Sequence, residues 1–241
     1  MLPFLLLSTR PEDDLAAAEL AAVARFAGLG PGELVQHRLE RAPLPDFDPG
    51  AWSGIVVGGS PFNTSDRDKS ALQVRVEGEL AALLDVVVER GIPFLGACYG
   101  VGTLGVHAGG VVDRTYGEQP GAVPVTLTAA GRADPLFATL PDTFDAFVGH
   151  KEAVRELPAG AVLLATSPDC PVQAFRVGPA AYATQFHPVL DTEGIVARVT
   201  AYREDGYFPA AHLDALVARL RAADTRFPPR VLANFARTFR R

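Results

Sequence analysis

The chain has 241 residues, 48% of them hydrophobic, and a formal net charge of −6. That length suits one large α/β domain, or one domain with a C-terminal extension, and it is enough to bury a full core. No apolar run approaches the roughly 20 residues that cross a bilayer, the first residues lack a basic n-region and a small-residue cleavage site, and the acidic balance argues against general nucleic-acid binding, so we expect a cytoplasmic protein with neither a membrane nor a nucleic-acid partner.

In chain order, Phe4–Leu7 reads as a first core strand and Asp14–Phe26 as a helix, with Pro11, Glu12, Asp13 and Asp14 around its first turn. Leu34–Leu39 alternates as a second strand. Trp52–Val57 is a third, buried run that ends in Gly58-Gly59-Ser60-Pro61, and Leu72–Glu89 is a long helix stopped by Gly91. Ile92–Ala97 then delivers Cys98. Beyond Gly110 the texture changes: Val123–Thr128, Val162–Thr166, Val172–Val177 and Ala181–Phe186 read as strands of mixed alternation, with little helix until Thr192. Thr192–Glu204, Ala210–Ala222 and Arg230–Arg240 read as closing helices. The first half carries the pattern of βαβ units and an open, mostly parallel sheet flanked by helices; the second half reads as a mixed or antiparallel extension of it. We take residues 1–241 as one domain, with 205–241 a C-terminal helical extension. Residues 219–241 hold seven arginines, which a solvated helix face explains more simply than an anion-facing or partner-facing edge.

Leu-Gly-Ala-Cys-Tyr-Gly at 95–100 places Cys98 where a buried strand turns sharply into a helix. This is the Gly-x-nucleophile-x-Gly elbow with a thiol, and it needs glycines on both sides because the nucleophile takes a strained backbone and neighbouring chain passes close by. The helix N-terminus favours thiolate and so predicts a depressed pKa, and the N–H of Tyr99 points where an oxyanion would form. A Gly-rich turn around a small buried cysteine would give the same pentapeptide, so other segments must decide.

A cysteine nucleophile needs a base, a group that orients the base, and oxyanion donors. His187 follows the strand at 181–186, at the edge where open α/β sheets place their ligand crevices. His150, after an apolar run and Gly149, suits a loop residue aimed into a pocket, or one that caps the next turn. His37, His107 and His212 read as structural or solvated. Gly58 and Gly59, at the end of the strand before the cysteine strand, offer a bare N–H as the second oxyanion donor. Cys98 and Cys170 share no C-x-x-C spacing and no neighbouring histidine cluster in sequence, so neither a disulfide nor a metal site is expected, and no cofactor.

Taken together, Gly-Gly-Ser-Pro at 58–61, Gly-Ala-Cys-Tyr-Gly at 96–100, Tyr-Gly-Glu at 116–118, Gly-His-Lys-Glu-Ala-Val at 149–154, Cys-Pro-Val-Gln-Ala-Phe at 170–175 and Gln-Phe-His-Pro at 185–188 resemble the class I glutamine amidotransferases over roughly residues 45–195. The resemblance is nearest to the stand-alone, GMP-synthase-like members. It implies a flavodoxin-like sheet, a γ-glutamyl thioester on Cys98, proton transfer by His187, an oxyanion held by the N–H groups of Gly59 and Tyr99, and a glutamine pocket lined by the segments of Glu118 and His150.

Two positions depart from the family pattern. The residue after His-Pro is a carboxylate in the family and Val189 here, so the orienting group must be Asp191, our first choice, or Glu193, a backbone carbonyl or water; Asp191 is equally suited to capping the helix at Thr192. The family's glutamine four residues after the nucleophile is Gly102. The expected function is attack on a γ-glutamyl amide with release of ammonia, the acceptor being activated by a separate synthetase, since no Gly-x-x-x-x-Gly-Lys loop is present. The alternatives are hydrolysis of γ-glutamyl peptides or amines, and a weakly catalytic relative that binds a metabolite through the same pocket.

Overall fold

The computed structural model describes residues 2–241. Its first half alternates strands β1 (Phe4–Ser8), β2 (Leu34–Arg38), β3 (Gly54–Val57) and β4 (Phe94–Ala97) with helices α1 (Asp13–Ala27), α2 (Ala71–Arg90) and α3 (Tyr99–His107). The second half contains β5 (Val111–Asp113), β6 (Glu118–Leu127), α4 (Ala129–Ala133), β7 (Thr143–His150), β8 (Ala153–Glu156), β9 (Val162–Thr166), β10 (Ala174–Val177) and β11 (Ala181–Thr184), and closes with α5 (Thr192–Ala201), α6 (Leu213–Ala222) and α7 (Arg230–Phe239).

The main sheet has the order β2-β1-β3-β4-β11-β10-β9-β6-β7. Strands β2 to β11 pair in parallel and the rest antiparallel, while β5 and β8 form a separate ribbon. Alternation sorts the side chains to two faces. Phe4, Leu6, Val56 and Leu95 meet α1, α5, α6 and α7 on one side; Leu5, Leu7, Ile55, Val57 and Phe94 meet α2 and α3 on the other. Helix α2 presents Val76, Leu80, Leu83, Leu84 and Val87 at helical spacing, starts on Ser70, whose hydroxyl accepts from Gln73 N–H, and stops at Gly91 with φ 64°.

Several expected boundaries shift. β6 begins at Glu118 rather than Val123, because Pro120 and Gly121 sit in an irregularity of the ladder with β7 instead of a turn. β7, unanticipated, makes His150 the last residue of a strand, not a loop residue. β10 starts at Ala174 and β11 ends at Thr184. Within residues 205–241, Val231, Leu232 and Phe235 are buried in the same core as β1, with the Phe235 ring 5.9 Å from that of Phe4. Among the described residues, no helix is long and apolar enough to cross a membrane.

Candidate active site

Cys98 joins β4 to α3 with φ 56° and ψ −88°, and among the described residues it is the one non-glycine residue with positive φ. A side chain is held in that region at a cost of roughly 1–3 kcal/mol, and such strain gathers at functional sites. Of the flanking glycines, Gly96 is required by close approach: a Cβ there would stand 2.7 Å from Gly100 Cα, whereas a Cβ on Gly100 would meet nothing closer than Val57 O at 3.7 Å.

Cys98 and His187 line one small cavity of about 50 Å³, together with Arg10, Gly149, Arg198, Tyr202 and Tyr207 among others. His187 is buried, its N–H donates to Phe147 O at 2.9 Å, and its ring Nδ1 has no partner. Burial, then the positive charges of Arg198 and Arg10, drive its pKa well below the usual histidine value, so the ring is neutral. The depressed thiol pKa expected from the helix terminus is not found. Burial pushes Cys98 up to about 11, against the opposing pull of Arg10, Arg198 and the N–H of Tyr99. Both shifts favour thiol and imidazole over thiolate and imidazolium.

Sequence reasoning missed the cluster beside them. Glu19, on α1 and fully buried, accepts from Ser8 Oγ at 2.9 Å and Arg198 Nη2 at 2.9 Å, and Arg10 Nε lies 3.6 Å from it. Gly58 and Gly59 make room for this group: a Cβ on Gly58 would stand 2.6 Å from Glu19 Oε1, and one on Gly59 2.6 Å from Arg10 Nη2 and 3.3 Å from His187 Cε1. Gly58 N–H is used by the sheet, donating to Leu7 O at 3.1 Å, which leaves Gly59 as the oxyanion-donor candidate of the two.

Asp191 does not orient His187. One of its carboxylate oxygens caps α5 by accepting from Gly194 N–H at 2.8 Å, and the other pairs with Arg25 at 2.5 Å, so both are engaged elsewhere and neither bonds the imidazole. Burial acts to raise the Asp191 pKa, but the Arg25 bond and the Gly194 N–H outweigh it and the net shift is downward. Glu193 is exposed, with Arg221 4.0 Å away. Val189 is wholly buried in the apolar core.

Glu118 and His150 do not line the Cys98 cavity either. His150 Nε2 and Glu118 Oε2 pair at 2.8 Å, Gln173 Nε2 donates to the same oxygen, and both residues line a neighbouring depression, while Gly149 and Pro120 face the cavity itself. Buried Cys170 joins them: its sulfur and the ligand atoms of Glu118 and His150 lie within 4.8 Å of one another, a grouping hidden by their separation in sequence. The Tyr99 side chain packs edge-on against Phe62. Gly102 is explained by its neighbour Glu152, whose carboxylate accepts from Thr64 N–H, Thr64 Oγ1 and Ser65 N–H and would stand 2.7 Å from a Cβ at 102. His37 contacts Ala42 O, His107 lies 3.6 Å from Asp85, and His212 precedes α6; none reaches the cavity.

Residues 39–192 match the family model for glutamine amidotransferase class-I. The chain is 28% identical over 194 residues to a glutamine-hydrolyzing GMP synthase of Actinobacillus succinogenes, an alignment that covers 74% of this chain and 34% of that protein. It thus spans about a third of the length of that relative. Its fold is similar to a glutamine amidotransferase of Thermotoga maritima, with a TM-score of 0.79, 19% identity and full coverage of both chains, and to a glutamine amidotransferase of Methylobacillus flagellatus, with a TM-score of 0.74, 19% identity and coverage of 100% and 97%. With a cysteine elbow, an open α/β sheet and a family match across the segment that carries both Cys98 and His187, this chain belongs to the class I glutamine amidotransferase family.

Proposed function

We propose that the protein hydrolyses a γ-glutamyl amide, glutamine in the first instance, through a thioester on Cys98. Because thiol and imidazole both rest neutral, His187 takes the Sγ proton as the sulfur attacks the amide carbon, rather than starting from a preformed ion pair. The N–H groups of Gly59 and Tyr99 hold the developing oxyanion. His187 then passes the proton to the leaving nitrogen, ammonia departs, and the thioester is hydrolysed by water whose proton returns through the same ring to leave glutamate and a free thiol. The reading is carried by the strained, half-buried Cys98 sharing a cavity with an unpartnered, neutral His187. We further assign the ammonia to a separate synthetase that activates the acceptor, and the protein to the cytoplasm.

A second reading, hydrolysis of γ-glutamyl peptides or amines, is favoured by the Glu152 clasp that fills the space where the family's glutamine side chain would lie. Glutamate release from glutamine and from γ-glutamyl amines, with mass spectrometry of an acyl adduct on Cys98, tests both. Release that is lost in Cys98→Ala supports the mechanism, and the better leaving group selects the substrate. Absence of release and of any Cys98 adduct overturns it.

A further inference from the structure

Arg10 follows β1 and Arg198 belongs to α5, and both fall outside the segment matched by the family model. They are 3% and 7% exposed, yet both line the Cys98 cavity. Among the described residues their one carboxylate partner inside is Glu19, so two guanidiniums share one negative charge. Arg198 Nη1 is buried with no hydrogen-bond partner, and Arg10 Nε has only the 3.6 Å ion pair with Glu19; a charged donor buried without a partner is costly unless something arrives to accept from it. The other charged groups nearby are already engaged or lie outside. Tyr202 is 3.4 Å from Arg10 Nη1 and donates to Glu12, Glu152 is held by Thr64 and Ser65, and Asp205 sits exposed at the rim.

We propose that Arg10 and Arg198 form an anion-binding subsite in the Cys98 cavity that holds a carboxylate of the substrate. One surplus positive charge matches a singly charged carboxylate rather than a dianionic phosphate, and guanidinium groups are the side chains best suited to hold a carboxylate. The subsite deepens the amidotransferase reading and rests on it for the identity of the substrate: a γ-glutamyl compound with its α-carboxylate free. Burial, with Arg10 as the second cause, lowers Arg198 to about 10, in keeping with two like charges held close before an anion enters.

Two alkylating agents of nearly equal size test the subsite without requiring turnover. Iodoacetate and iodoacetamide both lose iodide to the Cys98 sulfur, and they differ in carrying a carboxylate or a neutral amide. The ratio of their rates at Cys98, divided by the same ratio for free cysteine, should exceed unity by about tenfold, the value of one charge-assisted hydrogen bond. It should fall toward unity in Arg10→Gln and Arg198→Gln, and Arg198→Lys should recover part of it. If those variants fail to fold because Glu19 is left unpaired, the ratio in the unaltered protein still decides: a value equal to that of free cysteine overturns the subsite. In parallel, glutamine should be hydrolysed with a KM about tenfold below that of its α-carboxamide analogue. Preference for iodoacetate without glutamate release leaves the subsite standing and removes the amidotransferase reading. Glutamate release without that preference, and with equal KM for the two amides, does the reverse.

Discussion

The backbone N–H of Cys98 donates to the carbonyl of Thr184 at 2.8 Å. This bond closes the parallel ladder between β4 and β11 at the point where both strands end, three residues before His187. The elbow and the histidine are thus registered against each other by the sheet, with no reliance on a flexible loop. His187→Ala and Cys98→Ala are each expected to lower glutamate release by at least about 10³-fold, the scale seen when a member of a nucleophile–base unit is removed, with circular dichroism and thermal denaturation little changed. A decline of only a few fold in either variant would contradict this pairing.

The pH response of the thiol follows from its burial. In the free protein the thiolate is the alkylated form, and a pKa pushed up to about 11 leaves little of it at neutrality. Iodoacetamide labelling of Cys98 should therefore climb with pH by roughly tenfold per unit through pH 9 and level only near the raised pKa. A plateau below pH 7 would indicate the opposite arrangement, a thiolate–imidazolium pair. Cys170, buried and pushed up to about 12, should label far more slowly throughout.

Asp191→Ala separates capping from catalysis. The substitution removes the acceptor for Gly194 N–H and the exposed pair with Arg25. A lost helix cap costs about 1 kcal/mol, which lowers Tm by roughly 2–4 °C in a chain of this size. Turnover per folded molecule should be unchanged, and a strong loss of kcat would restore Asp191 to the site.

Gly102→Gln, which recreates the family's residue, should damage this protein. Its Cβ would stand 2.7 Å from Glu152 Oε1 and 2.8 Å from Thr64 Oγ1, displacing a carboxylate that accepts three hydrogen bonds. The expected cost is about 2–4 kcal/mol, measured by denaturant titration. A variant as stable as the parent would show that the Glu152 clasp yields easily.

Gly58→Ala tests the room made for the buried carboxylate. The new methyl would press on Glu19, whose neighbours Ser8, Arg10 and Arg198 hold it in place. A loss of about 1–3 kcal/mol is expected, together with a fall in glutamate release larger than the loss of folded protein explains, because Arg10 and Arg198 shift with their partner.

The features that could be read from the residues alone were local in sequence. Gly96, Cys98 and Gly100 announce an elbow because the strain and the close approach they permit involve residues four apart, and the alternation of apolar runs with helical stretches announces parallel strands because each period is a property of one segment. The Arg10–Glu19–Arg198 cluster has no such signal. Its members come from the end of β1, from α1 and from α5, and they meet because β1 pairs beside β3 while α5 returns across the sheet after β11. The same holds for the Glu152 clasp at Gly102, and the motifs of Glu118, His150 and Cys170 marked pocket segments without showing that these three side chains meet. Asp191 shows the converse: proximity in sequence made it the natural partner of His187, but the helix that starts at the next residue turns its carboxylate toward the Gly194 N–H it caps. Spacing along the chain governs which residues share a strand or a helix face, whereas contacts between buried charges depend on the strand order and on how much room the glycines between them leave.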